Sequence, residues 1–391
     1  MKGFDRLINT EFVLQEFTVN SDKKLIQGNL ELSDFASSEY LGLSNDIIQD
    51  DIEKVKVSGL RNGWSRISGN TNVTKGFEKD LQTFLGFESA RLAQSISLIN
   101  ITIFNSLSKM YDYFLYDKDV HITLKLGMKN IDKTRQSFFP NNNLEYLENE
   151  LSKLPKNSKK LIVIDGVYSM KGEVAPVERL QLLMEKYNCD ILIDDAHGFG
   201  VIGSGGRGVS ALINPELKKR VIYISSFSKC ASNPVAFICS SKEICEKLDK
   251  SATFLIYSGP PSNLHVLISN RHLKAFESNK FKEKREILYH SSCDIHQFLF
   301  EQNIKFLSKP GFPIISVRID PDYLEAIISV LKFNGIFAKP AIHPVVQFGD
   351  EVIRFTLTVN NCRQSIGKLK KSLIAIKKYT IPSRRKGEIS I

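Results

Sequence analysis

The feature that most constrains the fold is a set of short apolar, β-branched runs in the middle of the chain, separated by helical patterns and each closed by a compact polar cluster. Leu161-Ile162-Val163-Ile164, Ile191-Leu192-Ile193, Val221-Ile222-Tyr223-Ile224 and Val235-Ala236-Phe237-Ile238 are apolar at nearly every position, and Val177 to Tyr187 carries apolar residues at helical spacing. Strands apolar on both faces suit a mostly parallel sheet covered by helices, since a solvated face would show alternation instead. After about residue 265 the pattern changes. Long helical stretches, Asn263 to Phe276 and Lys282 to Phe300, precede strand-like Ile314 to Ile319 and Ile353 to Val359, with helical Tyr323 to Phe333 between them. The expectation is an α/β fold: an N-terminal segment (1–50), a large domain with a mostly parallel central sheet flanked by helices (51–262), and a smaller C-terminal α+β domain (263–391).

No apolar run approaches the roughly 18 residues of a membrane span. The opening MKGFDRLINTEF has no apolar stretch of secretory type, so a cytoplasmic protein with no membrane span is expected. Cys189, Cys230, Cys239, Cys245, Cys293 and Cys362 form no CxxC pair, which predicts reduced thiols and no metal site. The formal charge of +10 is compatible with nucleic acid, an anionic membrane face, or an acidic small molecule or carrier protein. No zinc-finger spacing or RNP-like aromatic strand supports nucleic acid, which is set aside. Much of the excess closes the chain, where Lys368, Lys370, Lys371, Lys377, Lys378, Arg384, Arg385 and Lys386 read as an amphipathic helix running into a basic tail.

Ligands of open α/β sheets bind at the carboxyl ends of the strands, which singles out Asp165 to Ser169, Asp194 to His197 and Ser225 to Lys229. Each has a plain reading when taken singly: Asp194 as a cap, His197 as a packed side chain, Lys229 as a surface lysine. Together they fit pyridoxal 5'-phosphate, which needs a lysine for a Schiff base, an acid to keep the pyridine nitrogen protonated, and hydroxyls or amides for the phosphate. Gly203-Ser204-Gly205-Gly206-Arg207-Gly208 lacks the Lys-Ser/Thr ending of a phosphate loop and reads as a turn.

The ordered motifs resemble the α-oxoamine synthases of pyridoxal-phosphate fold type I. Ile193-Asp194-Asp195-Ala196-His197-Gly198 followed by Gly203 and Gly206-Arg207-Gly208 is similar to that family's DEAH…G…GRG segment. Asp165-Gly166-Val167-Tyr168-Ser169-Met170 resembles its EGvfSM, and Ser226-Phe227-Ser228-Lys229 its TFsK. The likeness spans most of the chain, from Asp34 to Leu43 through Ser65 to Gly69 to Ile353 to Thr358, and leans toward the 8-amino-7-oxononanoate synthase branch. It implies that Lys229 carries the cofactor, Asp194 faces the pyridine nitrogen, His197 approaches the phenolic oxygen and His121 stacks on the ring. Ser169 would sit near the cofactor, Ser226 and Ser95-Ile96-Ser97 at its phosphate, and Arg354 and Ser38 at the amino-acid substrate. The implied reaction is condensation of an amino acid with an acyl thioester, on CoA or acyl carrier protein, with decarboxylation to a 2-amino ketone, in a homodimer.

Several positions depart from that pattern. Ser95-Ile96-Ser97 replaces Ser-Gly-aromatic, Ser232, Val235 and Ala236 replace glycines after the lysine, and Gly259 stands where a phosphate-binding hydroxyl is usual. Ser38, Thr74 and Lys171 replace Asn, His and Asp. These departures leave two further readings open: a weakly binding or non-catalytic relative acting as a regulatory dimer, and an aminotransferase-type enzyme.

Overall fold

A computed structural model describes residues 15–60, 64–343 and 345–381. Their contacts form two units, one from the described residues of Gly42–Ser169 and Val174–Glu283, the other from those of Met1–Leu41, Met170–Glu173 and Lys284–Ile391. The sequence pattern put the joints at 50 and 262; the contacts put them after 41 and 283. Helix Asn263–Ala275 stays with the larger unit because Asn263 Nδ2 donates to the carbonyls of Ser58 and Gly59 (3.1 and 2.9 Å) and Arg271 pairs with Asp46 and Asp51.

The larger unit is built on seven strands: β1 (Ser89–Ala93), β2 (Tyr113–Asp117), β3 (Gln136–Phe139), β4 (Lys160–Asp165), β5 (Cys189–Asp194), β6 (Val221–Ser226) and β7 (Ala236–Ser240). Their spatial order is β1-β7-β6-β5-β4-β2-β3, and all run parallel except β7, which is antiparallel to both neighbours. Every residue of β4 and β6 is buried, as continuous apolar runs require. Leu161, Val163, Leu192 and Ile222 pack on one face against Ile99 and Leu124, and the other face carries an aromatic cluster in which Phe199 lies 4.9 Å from Phe237 and 5.1 Å from Phe227. Strands β1 and β3 are not continuous apolar runs, since Arg91 breaks one and Gln136-Ser137 opens the other, whereas β2 carries the aromatic-apolar run Tyr113-Phe114-Leu115-Tyr116 that the sequence reading passed over.

One buried carboxyl explains why glycines recur in three separate motifs. Asp195, fully buried, accepts from Tyr223 Oη at 2.6 Å and from the Val209 amide at 2.9 Å. A Cβ at Gly166, Gly198 or Gly208 would lie 2.4, 2.1 or 2.0 Å from its oxygens, and Gly208 also holds φ +64°. The glycines thus allow three loops to close on Asp195, and this closure fixes its neighbour Asp194 at the end of β5.

In the second unit, β8 (Ile314–Arg318), β9 (Lys339–Ala341) and β10 (Val352–Thr356) form an antiparallel sheet in the order β8-β10-β9. Helices α1 (Leu324–Phe333) and α2 (Arg363–Ile376) supply Ile327, Leu331, Leu369 and Leu373 to the core over Ile315, Ile353 and Phe355. The basic helix expected near the end is α2, where Lys370 pairs with Asp294 at 2.8 Å; Arg384, Arg385 and Lys386 lie outside the described residues. No described helix is long and apolar enough to cross a membrane.

Burial pushes the Asp195 carboxyl up to about 7. A folded-state value above the ordinary carboxylate value means that this site favours folding most below about pH 4 and loses that contribution as pH rises toward 7. Asp195→Asn should therefore lessen the decline in urea-unfolding free energy across that window by on the order of 4 kcal/mol; identical pH slopes for variant and parent would refute the assignment. Gly208→Ala should lose at least about 2 kcal/mol in the same measurement, from strain and the carboxyl clash.

Candidate active site

A cavity of about 280 Å³ opens within the larger unit at the carboxyl ends of β4, β5 and β6. Lys229, Asp194, His197, His121, Ser226, Ser95, Ile96 and Ser97 all line it. Ser169 is not among the lining residues, and Arg354 and Ser38 belong to the second unit.

Register brings the acids together. Asp165 ends β4 and Asp194 ends β5, and the two are direct partners across the parallel pair; Asp194 in turn partners Ile224 of β6. Two residues beyond that level, Ser226 caps the short turn Phe227–Cys230, its Oγ accepting from the Ser228 amide at 3.0 Å and donating to the Val235 carbonyl at 3.1 Å. Phe227 is fully buried among Phe77, Phe199 and Phe276, with ring centroids 5.1 to 5.9 Å apart. That anchor fixes the backbone two residues before Lys229, so a flexible side chain projects from a rigid base.

A chain of hydrogen bonds joins His121 to Asp194. Helix Ile122–Met128 is capped by His121, whose Nδ1 accepts from the Thr123 amide at 3.4 Å and lies 2.7 Å from Thr123 Oγ1. Asn100 Nδ2 donates to that hydroxyl at 3.0 Å and to Asp194 Oδ2 at 2.6 Å, while Asp194 Oδ1 accepts from the Ala196 amide at 3.0 Å. With Nδ1 committed as an acceptor, a neutral His121 carries its proton on Nε2. The approach of this helix to helix Ile96–Thr102, which carries Asn100, depends on Gly127, where a Cβ would stand 2.2 Å from the Asn100 carbonyl.

The two partnered carboxyls cannot both ionise freely. Burial, and after it the charge of Asp194, pushes Asp165 well above the carboxylate range. Burial also raises Asp194, but the Asn100 amide, His121, the Ala196 amide and Lys229 all act to keep it charged. Asp165, with only the His121 amide at 3.1 Å donating to it among the described residues, is therefore the better proton holder, and Asp194 the better anion.

Asn100 and Asp165 were missed as site residues by sequence reasoning. Asn100 did leave a signal, as the one amide within the apolar stretch Ile96-Ser97-Leu98-Ile99-Asn100-Ile101. Asp165 stood in a quoted motif at a strand end without being assigned a role. Ser232, one of the replaced glycines, holds φ +51°, so the backbone keeps a glycine-like conformation that a side chain adopts only under strain.

In the second unit Arg354 is buried on β10, its Nη2 donating to Ser38 Oγ at 3.1 Å and to Thr356 Oγ1 at 3.3 Å. Burial lowers its pKa from the usual guanidinium value.

Residues 31–369 match the family described as aminotransferase class I and II. The putative 8-amino-7-oxononanoate synthase of Aquifex aeolicus is 30% identical over 92% of this chain and 95% of that protein. The serine palmitoyltransferase of Bacteroides thetaiotaomicron is 26% identical over 87% and 86% of the two chains. Among solved structures, the serine palmitoyltransferase of Sphingomonas wittichii shares the fold at a TM-score of 0.87, with 22% identity over 96% of this chain and 95% of that one. With the acid, lysine and histidines gathered at the strand ends, these likenesses lead to one conclusion: the chain belongs to the aminotransferase class I and II family, in its α-oxoamine synthase group.

Proposed function

We propose that the protein is a pyridoxal-phosphate-dependent acyltransferase that condenses an amino acid with an acyl thioester and releases carbon dioxide, giving a 2-amino ketone. The observation that carries this reading is the convergence of Lys229, Asp194, His121 and His197 on one cavity. Its donor set suits the cofactor's chemistry: an amine for an aldehyde, a buried carboxylate for a ring nitrogen, imidazoles for ring and phenolic oxygen, and the hydroxyls of Ser95, Ser97, Ser226 and Ser228 for a phosphate.

When bound, pyridoxal phosphate supplies an electron-accepting ring that delocalises negative charge at the amino acid's α-carbon. Lys229 would hold the cofactor through its amine, and as a neutral amine would take the amino acid's α-proton. Asp194, kept charged by Asn100, holds a proton at the pyridine nitrogen. His121 and His197 orient the group, and the serine hydroxyls take over at Ser95-Ile96-Ser97 from the missing glycine and aromatic. Arg354 binds the substrate carboxylate in a planar fork, with Ser38 beside it.

The acyl donor is a thioester of CoA or of acyl carrier protein, both anionic partners for a chain of charge +10. A cytoplasmic homodimer is proposed as well. Ile101, Ile122 and Leu126, 41, 59 and 39% exposed around the cavity-lining helices, supply apolar surface for a partner copy.

The reading is tested by incubating the PLP-loaded protein with carboxyl-labelled amino acids and acyl thioesters, following thiol release, labelled carbon dioxide and the amino ketone by mass spectrometry. Coupled release of all three is expected for one amino acid, and no turnover of any pair would overturn the reading. Arg354→Ala should raise the amino-acid KM about a hundredfold with a smaller change in kcat. Asn100→Ala, which removes a hydrogen bond to a charged acceptor, should weaken PLP binding at least about tenfold in a visible-absorbance titration.

A further inference from the structure

The second unit contains a cavity of about 440 Å³, larger than the one at Lys229. Helix α1 contributes Ile328 and Leu331 to its wall, the short strand Ile336–Phe337 contributes both residues, and Phe17 and Leu25 close it from the N-terminal side. The Phe17 and Phe337 rings pack with centroids 4.8 Å apart. The interior is thus mainly apolar, and three charged residues remain on the lining: Asp34, Lys332 and Lys339.

Their partners decide what the cavity can hold. Asp34 Oδ1 is engaged by the backbone, accepting from the amides of Ala36 and Ser37 at 2.8 and 3.0 Å. Lys332 Nζ donates to Gln27 Oε1 at 3.3 Å. Lys339 has no carboxylate partner among the described residues, and its direct neighbour across the β9–β10 pair is Arg354. Like charges opposite one another in a sheet repel. Partial desolvation, and then the Arg354 charge, lower the Lys339 pKa from its usual value, although the residue as a whole reaches solvent. A nearby anion would relieve both effects, and the adjoining apolar wall would take an alkyl chain.

We propose that this cavity binds an aliphatic carboxylate, with its chain against Ile328, Leu331, Ile336 and Phe337 and its anionic end on Lys339. A free fatty acid and the ω-carboxylated acyl chain of a thioester present the same chemistry. The proposal stands apart from the assignment of Lys229, because its residues, its charge argument and its readout all belong to the second unit.

The test is equilibrium dialysis of the full-length, PLP-loaded protein against radiolabelled decanoate, with decanol as the uncharged control. Saturable binding is expected, with decanoate favoured over decanol by about tenfold or more, the scale of one charge-assisted contact. Lys339→Met keeps the apolar stem, so it should remove the preference for decanoate while leaving decanol binding unchanged. Ala36→Leu, which fills the cavity, should weaken both, with circular dichroism confirming the fold. Displacement at lower concentration by a dicarboxylic acid monothioester than by octanoate would assign the site to the acyl donor, and the reverse to free fatty acid. Absence of saturable binding for chains from octanoate to palmitate, or a Lys339→Met protein that still prefers decanoate, would overturn the proposal.

Discussion

The parallel register of β4, β5 and β6 is the constraint on which the site depends. It sets Asp165 beside Asp194 and brings the turn carrying Lys229 to the same edge of the sheet. Side chains on these strands alternate between faces, so a slip of one residue in β5 would turn Asp194 away from the cavity and put Asp195 in its place. Asp195 prevents that slip. Its carboxyl is clasped by Tyr223 and the Val209 amide inside a shell that Gly166, Gly198 and Gly208 leave open. Adjacent acids therefore divide the work: one holds three loops together, and the other lines the cavity.

Electrostatics then separates Asp194 from its other neighbour. Two buried carboxyls in register would ordinarily share a proton without preference. Asn100 breaks the symmetry by donating to Asp194 and not to Asp165, and the same amide donates to Thr123, which continues to His121. His121 and Asp194 are thereby joined through protein hydrogen bonds, with helix spacing set by Gly127. This arrangement gives an anion poised for a cationic ring nitrogen, which is the requirement that distinguishes a pyridoxal-phosphate site from an ordinary polar cleft.

Much of this was legible in the sequence. The buried strands announced themselves as unbroken apolar runs, and the residues just after them line the cavity, because parallel strands all present their carboxyl ends to one edge. The helix Val177–Tyr187 has the bounds its periodicity suggests. What the sequence hid depended on tertiary context. Strand β3 lies at the sheet edge with only Phe139 buried, so it needs no apolar run. Asn100 acquires its role from a helix crossing set by a glycine 27 residues away in sequence, a spacing no local pattern reveals. Ser232 shows the converse: where the family pattern has glycine, this serine holds a left-handed backbone that the sequence alone does not announce. Arg354 and Ser38, singled out only through the family resemblance, share a hydrogen bond in the second unit that the sequence did not announce.

The central claim is that Lys229 is the covalent attachment point in a site organised by Asp194. The most direct measurement is borohydride reduction of the PLP-treated protein followed by peptide mass mapping, with Lys229→Ala in parallel. The account predicts one pyridoxyl-modified peptide containing Lys229 and loss of the visible absorption band in the variant. Modification spread over other lysines, or a reducible band that survives in Lys229→Ala, would contradict it.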